Sequence, residues 1–193
     1  MSDPRTDEAL MLAYRDGDAA AFEALYARWR GRLYRYLAHQ ARDVADELFQ
    51  DVWLRVVKAR THYEVAAKFS TWLFRIAHNR LMDHYRARGR GIVKLFDTPL
   101  EEDALAADDP PAPAWETPPA MLDRRRAAQR ILDCLEALPP PQREAFLLAE
   151  ESGLSLQEIA RASGVGRETA KSRLRYALAR LRRCLGDLRG LEG

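Results

Sequence analysis

The stretch "SLQEIARASGVGRETAKSRL", residues 155–174, decides how the C-terminal part of the chain folds. Ser155 stands where an N-cap belongs, and Glu158 follows at the spacing of a capping box, in which each side chain satisfies a backbone N–H of the first turn. Ile159 and Ala160 then face inward, and Ala160 is small enough for a second helix to cross closely. Gly164 supplies the turn, Val165 plugs the joint, and Gly166 or the adjoining turn opens the next helix. Two short helices meeting at a glycine turn predict a helix-turn-helix.

Downstream, "GVGRETAKSRLRYALARLR" (164–182) is unusually basic. Counted through Arg189 it holds eight Arg or Lys against two acids, Glu168 and Asp187. It also keeps an apolar stripe. At about 100° per residue, Ala170, Leu174, Ala177, Leu178, Leu181 and Leu185 share one face. Glu168, Lys171, Ser172, Arg175 and Tyr176 cover the opposite one. The stripe would dock the helix on its own domain and leave the basic face for a DNA major groove. Lys171 and Arg175 can meet phosphates or guanine edges, while Ser172 and Tyr176 can add hydrogen bonds.

Upstream of this motif the pattern predicts helices over 120–137, ended by "LPPP", and over 140–151. Residues 95–119, "LFDTPLEEDALAADDPPAPAWETPP", break the helical pattern with six Pro, seven acids and no Lys or Arg. Such a segment buries too little apolar surface to offset its ordering entropy and reads as a flexible acidic linker. Before it, Thr6 or Asp7 can cap a helix that stops near Gly17, and Asp18 can cap a second. Further helices are expected over about 42–59 and 70–88. β-branched alternation is absent, so the fold class is all-α: two small helical domains, 1–94 and 120–193, joined by an acidic Pro-rich linker. The formal net charge of +2 hides +5 and +4 on the two domains and −7 between them. Polyanion contacts are expected at both ends.

Two faces of the N-terminal block carry more than packing. In "KFSTWLFRIAHNRLMDHYRAR" (68–88), Leu73, Ile76, Ala77 and Leu81 form a core stripe. Trp72, Arg75, Asn79, Asp83 and Arg86 recur on the other side at steps of three or four. An aromatic ring among Arg and Asn suits stacking on unpaired bases and reading their edges. In "DVADELFQDVWLRVVKA", Asp46, Glu47, Gln50 and Asp51 lie beside Trp53 and Leu54, both expected to be exposed. Acids next to Leu and Trp suit a protein partner better than DNA.

These motifs resemble those of the extracytoplasmic-function sigma factors of bacterial RNA polymerase. "ADELFQDVWLRV" is similar to region 2.2, "FSTWLFRIAHNRLMDHYR" to regions 2.3–2.4, and "LPPPQREAFLLAEESGLSLQEIARASGVGRETAKSRL" to region 4. The resemblance implies that Asp46, Glu47, Gln50, Asp51 and Leu54 grip the clamp helices of the polymerase β′ subunit. It implies that Tyr63, Lys68, Phe69, Trp72, Arg75, Asn79, Asp83 and Arg86 melt and hold the −10 element. Arg167, Glu168, Lys171, Ser172, Arg175 and Tyr176 would read the −35 duplex, with region 4 also docking on the β flap. Core RNA polymerase, promoter DNA and an anti-sigma factor are the implied partners.

Other function classes fit less of the chain. A helix-turn-helix regulator with a helical N-terminal sensing domain explains residues 154–185 but leaves the Trp72–Arg86 face and the acidic 46–54 surface without a role. An enzyme is not expected: there is no Gly-rich phosphate loop, no carboxylate pair at metal-binding spacing and no nucleophile with an adjacent base. His39, His62, His78 and His84 are scattered, so no metal or cofactor is implied. Cys134 and Cys184 read as two buried thiols in a reducing compartment, with a redox pair as the alternative. "MSDPRTDEAL" lacks signal-peptide character and no apolar run approaches the roughly 20 residues of a membrane span, so a soluble cytoplasmic protein is expected.

Overall fold

A computed structural model describes residues 3–97 and 121–187. Among them every regular element is helical: α1 (Asp7–Arg15), α2 (Ala19–Gln40), α3 (Ala45–Ala59), α4 (Phe69–Ala87), α5 (Arg90–Asp97), α6 (Met121–Glu136), α7 (Pro140–Glu150), α8 (Leu156–Ser163) and α9 (Arg167–Asp187). Short 3₁₀ turns lead into α3 and out of it. Most of the acidic Pro-rich stretch, 98–119, lies outside the described residues. None of the described helices is long and apolar enough to cross a membrane.

Local sequence sets the helix starts. The Thr6 and Asp18 side chains accept from the Ala9 and Ala21 N–H groups, satisfying orphan donors at the heads of α1 and α2. Pro140 and Pro141 open α7, where a missing N–H costs nothing. The head of α4 is capped from a distance: Glu8 Oε1 on α1 accepts from the Phe69 N–H at 2.7 Å.

Helices α1–α5 wrap an aromatic core. Tyr36 and Phe74 meet edge to face with centroids 5.3 Å apart, and Trp29 stands 6.1 Å from Phe74. Leu25, Leu33, Leu48, Val52, Leu73 and Leu81 fill in around them. Fully burying one such side chain contributes about 1.5–3 kcal/mol. Helices α6–α9 enclose a smaller core of Leu147, Leu148, Ile159, Ala162, Ala170 and Ala177.

Two expectations need correction. The cysteines are not separate thiols: Cys134 on α6 and Cys184 on α9 form a disulfide, their Cα atoms 5.9 Å apart across 50 residues of sequence. Helix packing brings them together, and no local motif signals such a pairing. The helical region also runs beyond residue 94. Helix α5 carries through Asp97 because Phe96 is buried against the rings of His78 and Tyr85, at 6.1 and 6.2 Å.

Candidate nucleic-acid and polymerase interfaces

The helix-turn-helix forms as its letters require. The Glu158 side chain accepts from the Ser155 N–H at 2.8 Å, and the Glu158 N–H donates to Ser155 Oγ at 3.4 Å. Gly164 takes φ +67°, the left-handed region that closes α8, and the Val165 N–H returns to the Ala160 carbonyl at 3.0 Å.

On α9, Arg167, Glu168, Lys171 and Arg175 are exposed and Ser172 is half-buried. Lys171 lies 3.8 Å from Glu168. Tyr176 differs from expectation: only 9% of it is exposed. The buried arc of α9 is wider than its apolar letters suggest, because Arg173 lies inside it, its guanidinium donating to the Phe96 carbonyl and resting on the Phe96 ring. Burial pushes the Arg173 pKa down, with Glu144 and Asp97 opposing. Tyr176, next along that arc, is covered too and braces Arg175, which stacks 5.0 Å from its ring centroid and donates to its hydroxyl at 3.3 Å.

Helix α4 presents one continuous polar row. Arg75, Asn79, Asp83 and Arg86 are exposed at steps of four, four and three, and Trp72 is half-buried at the head of the row. Asp83 is shared by Arg86 at 3.1 Å and Arg55 at 3.5 Å. Two aromatics expected at this surface are instead inside: Phe69 is fully buried and Tyr63 nearly so. They pack beneath Trp72, at 5.8 and 5.0 Å, so they set its angle and leave it as the accessible ring. Burial, with Glu8 and Asp7 nearby, pushes the Tyr63 phenol up to about 12.

Two open clefts flank this face. One, of about 730 Å³, lies between the start of α1 and the 65–68 loop, lined by Thr6, Glu8, Arg28, Val65, Lys68 and Ser70 among others. The other, of about 340 Å³, runs between α3 and α4 and is lined by Arg55, Lys58, Ala59, Ile76 and Asn79. Arg55 and Lys58 were missed in the sequence; the signal was a basic second half of α3 following its acidic first half.

The first half of α3 exposes Asp46, Glu47, Gln50 and Leu54, the last at 54%. Asp51 is partly covered, holding Arg80 Nε at 2.6 Å, and Arg80 also reaches Glu47 at 3.4 Å. Trp53 is not exposed as expected. It is buried among Tyr26, Phe22 and Phe49 at 5.0, 5.7 and 6.4 Å, because α2 lays aromatic rings over it. Its indole instead supports the surface from below.

Residues 22–91 match the family described as Sigma-70 region 2, and residues 128–181 match Sigma-70, region 4. The chain belongs to the extracytoplasmic-function RNA polymerase sigma factors. It is 33% identical over 181 residues to the RNA polymerase sigma factor CarQ of Myxococcus xanthus, covering 92% of this chain and 97% of that one. To the ECF sigma factor SigK of Mycobacterium sp. strain KMS it is 31% identical over 182 residues, covering 93% and 90%. Among solved structures, CnrH in complex with the cytosolic domain of CnrY shares the fold with a TM-score of 0.65 at 22% identity, covering 95% of this chain and 99% of that one. RpoE of Bartonella quintana, solved with the anti-sigma factor NepR, gives 0.62 at 25% identity, covering 86% and 96%. A member of this family is a non-enzymatic subunit that gives RNA polymerase its promoter specificity.

Proposed function

We propose that this sigma factor divides promoter recognition between α4 and α9 and joins polymerase through α3. The observation that carries this reading is the exposed row Arg75–Asn79–Asp83–Arg86, headed by a half-open Trp72 and flanked by the Arg55–Lys58 cleft. Ring, edge-reading amide and cations in one line suit an unpaired strand, because bases stack on the ring while cations follow the phosphates. Lys68 and the 65–68 loop border the neighbouring cleft, which is open enough to take a base turned out of the stack. On α9, Arg167, Lys171, Ser172 and Arg175 face the −35 duplex, Glu168 tunes the local charge, and Tyr176 holds Arg175. Asp46, Glu47, Gln50, Asp51 and Leu54 form an acidic and apolar patch for the β′ clamp helices, and the C-terminal domain docks on the β flap. The protein works in the cytoplasm, and an anti-sigma factor holds it inactive.

Run-off transcription with core RNA polymerase on a pool of genomic promoter fragments tests the whole reading. Defined start sites that vanish without this subunit are expected. A chain that never co-elutes with core polymerase, or that co-elutes without directing initiation, would sink the proposal.

A further inference from the structure

Helix α1 holds both ends of the loop that faces it. That loop, residues 64–68, joins the 3₁₀ turn after α3 to the head of α4. At its start the Arg15 guanidinium donates to the Tyr63 carbonyl at 3.3 Å. The turn before it is held too, because Arg60 donates to the Tyr14 hydroxyl at 3.3 Å and stacks 5.2 Å from the Tyr14 ring centroid. At its end Glu8 Oε1 accepts from the Phe69 N–H at 2.7 Å, while Lys68, in the N-cap position of α4, makes no side-chain cap. Between these points the side chains face outward: Glu64, Val65, Ala66 and Lys68 are exposed.

Helix α1 is itself firmly seated. Leu10 and Met11 are fully buried, and Asp7 accepts from Arg28 Nη1 at 2.7 Å and from the Trp29 indole N–H at 2.9 Å, both on α2. The same helix is also the opposite wall of the cleft of about 730 Å³, where Thr6 and Glu8 line one side and Val65, Ala66 and Lys68 the other. One wall therefore fixes where the other stands, through two bonds rather than through packing within the loop. Both bracing side chains precede residues 22–91, which match Sigma-70 region 2.

We propose that α1 is a specificity element of the −10 reader, with Glu8 and Arg15 as positioning residues that hold the cleft in one shape so that it selects among unpaired bases. The inference deepens the function proposed above and rests on its assignment of this cleft to a base turned out of the stack. Stacking on Trp72 and contacts to phosphates hold a strand of any sequence. Choice among bases needs walls that do not yield, because a loop free to move admits a wrong base at little cost.

The test is open-complex formation by the holoenzyme on promoters that carry each of the four bases in turn at every −10 position. Glu8→Ala should lower the ratio of best to worst base at one position roughly tenfold, through loss of a charge-assisted bond, with core-polymerase affinity unchanged. Glu8→Gln keeps an acceptor of the same reach and should retain the wild-type profile. Arg15→Ala frees the other end, leaves the α4 cap in place, and should flatten the same position about threefold, as suits a longer bond. Hydrogen exchange on the free chain should quicken at the Phe69 amide in Glu8→Ala alone.

Opening reduced equally for all four bases would make both residues scaffold and overturn the proposal, as would a profile kept in both alanine variants or an unchanged Phe69 amide. A Glu8→Gln profile as flat as that of Glu8→Ala would make Glu8 a direct reader and overturn the positioning role. Should Glu8→Ala fail to fold, the Arg15→Ala profile decides. Wild-type holoenzyme that opens promoters without base preference in the −10 element would overturn the assignment of the cleft itself, and the proposal with it, before any variant is compared.

Discussion

The two bundles are built from different materials. Residues 1–97 contain 14 aromatic side chains, whereas 121–187 contain two, Phe146 and Tyr176. Each buried ring removes far more surface from water than an alanine does, so α1–α4 can lock together through Phe22, Trp29, Tyr36, Trp53 and Phe74 without a cross-link. The C-terminal core is largely Leu and Ala, and its longest helix leaves Arg167, Lys171 and Arg175 exposed rather than packed. That bundle is stapled covalently where the other is packed. Removing the staple should break the comparison most sharply. For a closed loop of about 50 residues, loop-closure entropy predicts roughly 4 kcal/mol of stabilisation. Reduction, or Cys134→Ala with Cys184→Ala, should lower C-terminal stability in urea by that order while hydrogen exchange in α2–α4 slows or speeds little. Equal losses in both bundles would mean that they unfold as one unit and that the contrast in materials has no energetic consequence.

The surfaces differ as much as the cores, and a matched pair of substitutions sharpens that difference. Arg175→Ala removes a cation that Tyr176 holds in place, and should weaken −35 duplex binding by about 1–3 kcal/mol if it contacts guanine. Core-polymerase binding and opening of a pre-melted −10 template should survive. Asn79→Ala should do the reverse, impairing −10 recognition and opening while duplex −35 binding persists. Footprinting and a pre-melted template separate the outcomes. A variant that lost both activities would place its residue in the scaffold.

What could be read from letters alone follows the same line between local and tertiary causes. The Thr6, Asp18 and Ser155 caps, the Glu158 box and the Gly164 turn depend on residues within a few positions, and each forms as read. The row Arg75–Asn79–Asp83–Arg86 was legible because helical periodicity fixes azimuth. Periodicity does not say how far a neighbouring element reaches round a helix. Trp53 lies beside its stripe, Phe69 at the head of α4, Tyr63 in the loop after α3 and Tyr176 away from the apolar face of α9, and each is covered by something distant in sequence or lying beside Arg173 in the core. Helix α5 depends on Phe96 finding His78 and Tyr85. Glu144 gave no signal at all: in "PPQREAFLL" it looks like a solvated acid, and it is Tyr36 on α2 and His78 on α4 that enclose it.

The smallest expected effect concerns the caps. Ser155→Ala should cost the C-terminal bundle about 1 kcal/mol, and the same change at Thr6 should cost the aromatic bundle no more. Acid should expose the asymmetry. Burial pushes the Glu158 carboxyl up, but the Ser155 N–H and hydroxyl, with Lys68, outweigh it and hold it at about 2 against an ordinary 4.5. A carboxyl depressed in the folded state stabilises above its unfolded pKa, and that contribution is lost as pH falls from about 4.5 toward 2. Asp18 is lowered in the same direction by Arg5 and the Ala21 N–H. Both caps therefore weaken on acidification, yet only the C-terminal bundle leans on its cap while also losing the Glu158–Lys68 tie to the other domain. Carboxyl NMR titration with residue-resolved exchange should show α8 loosening before α2 as pH drops. Ser155→Ala removes the hydroxyl but keeps the N–H, so it should bring the Glu158 titration part of the way back toward 4.5 and reduce that difference, whereas an unchanged Glu158 titration would mean that the N–H of residue 155 and Lys68 set it together.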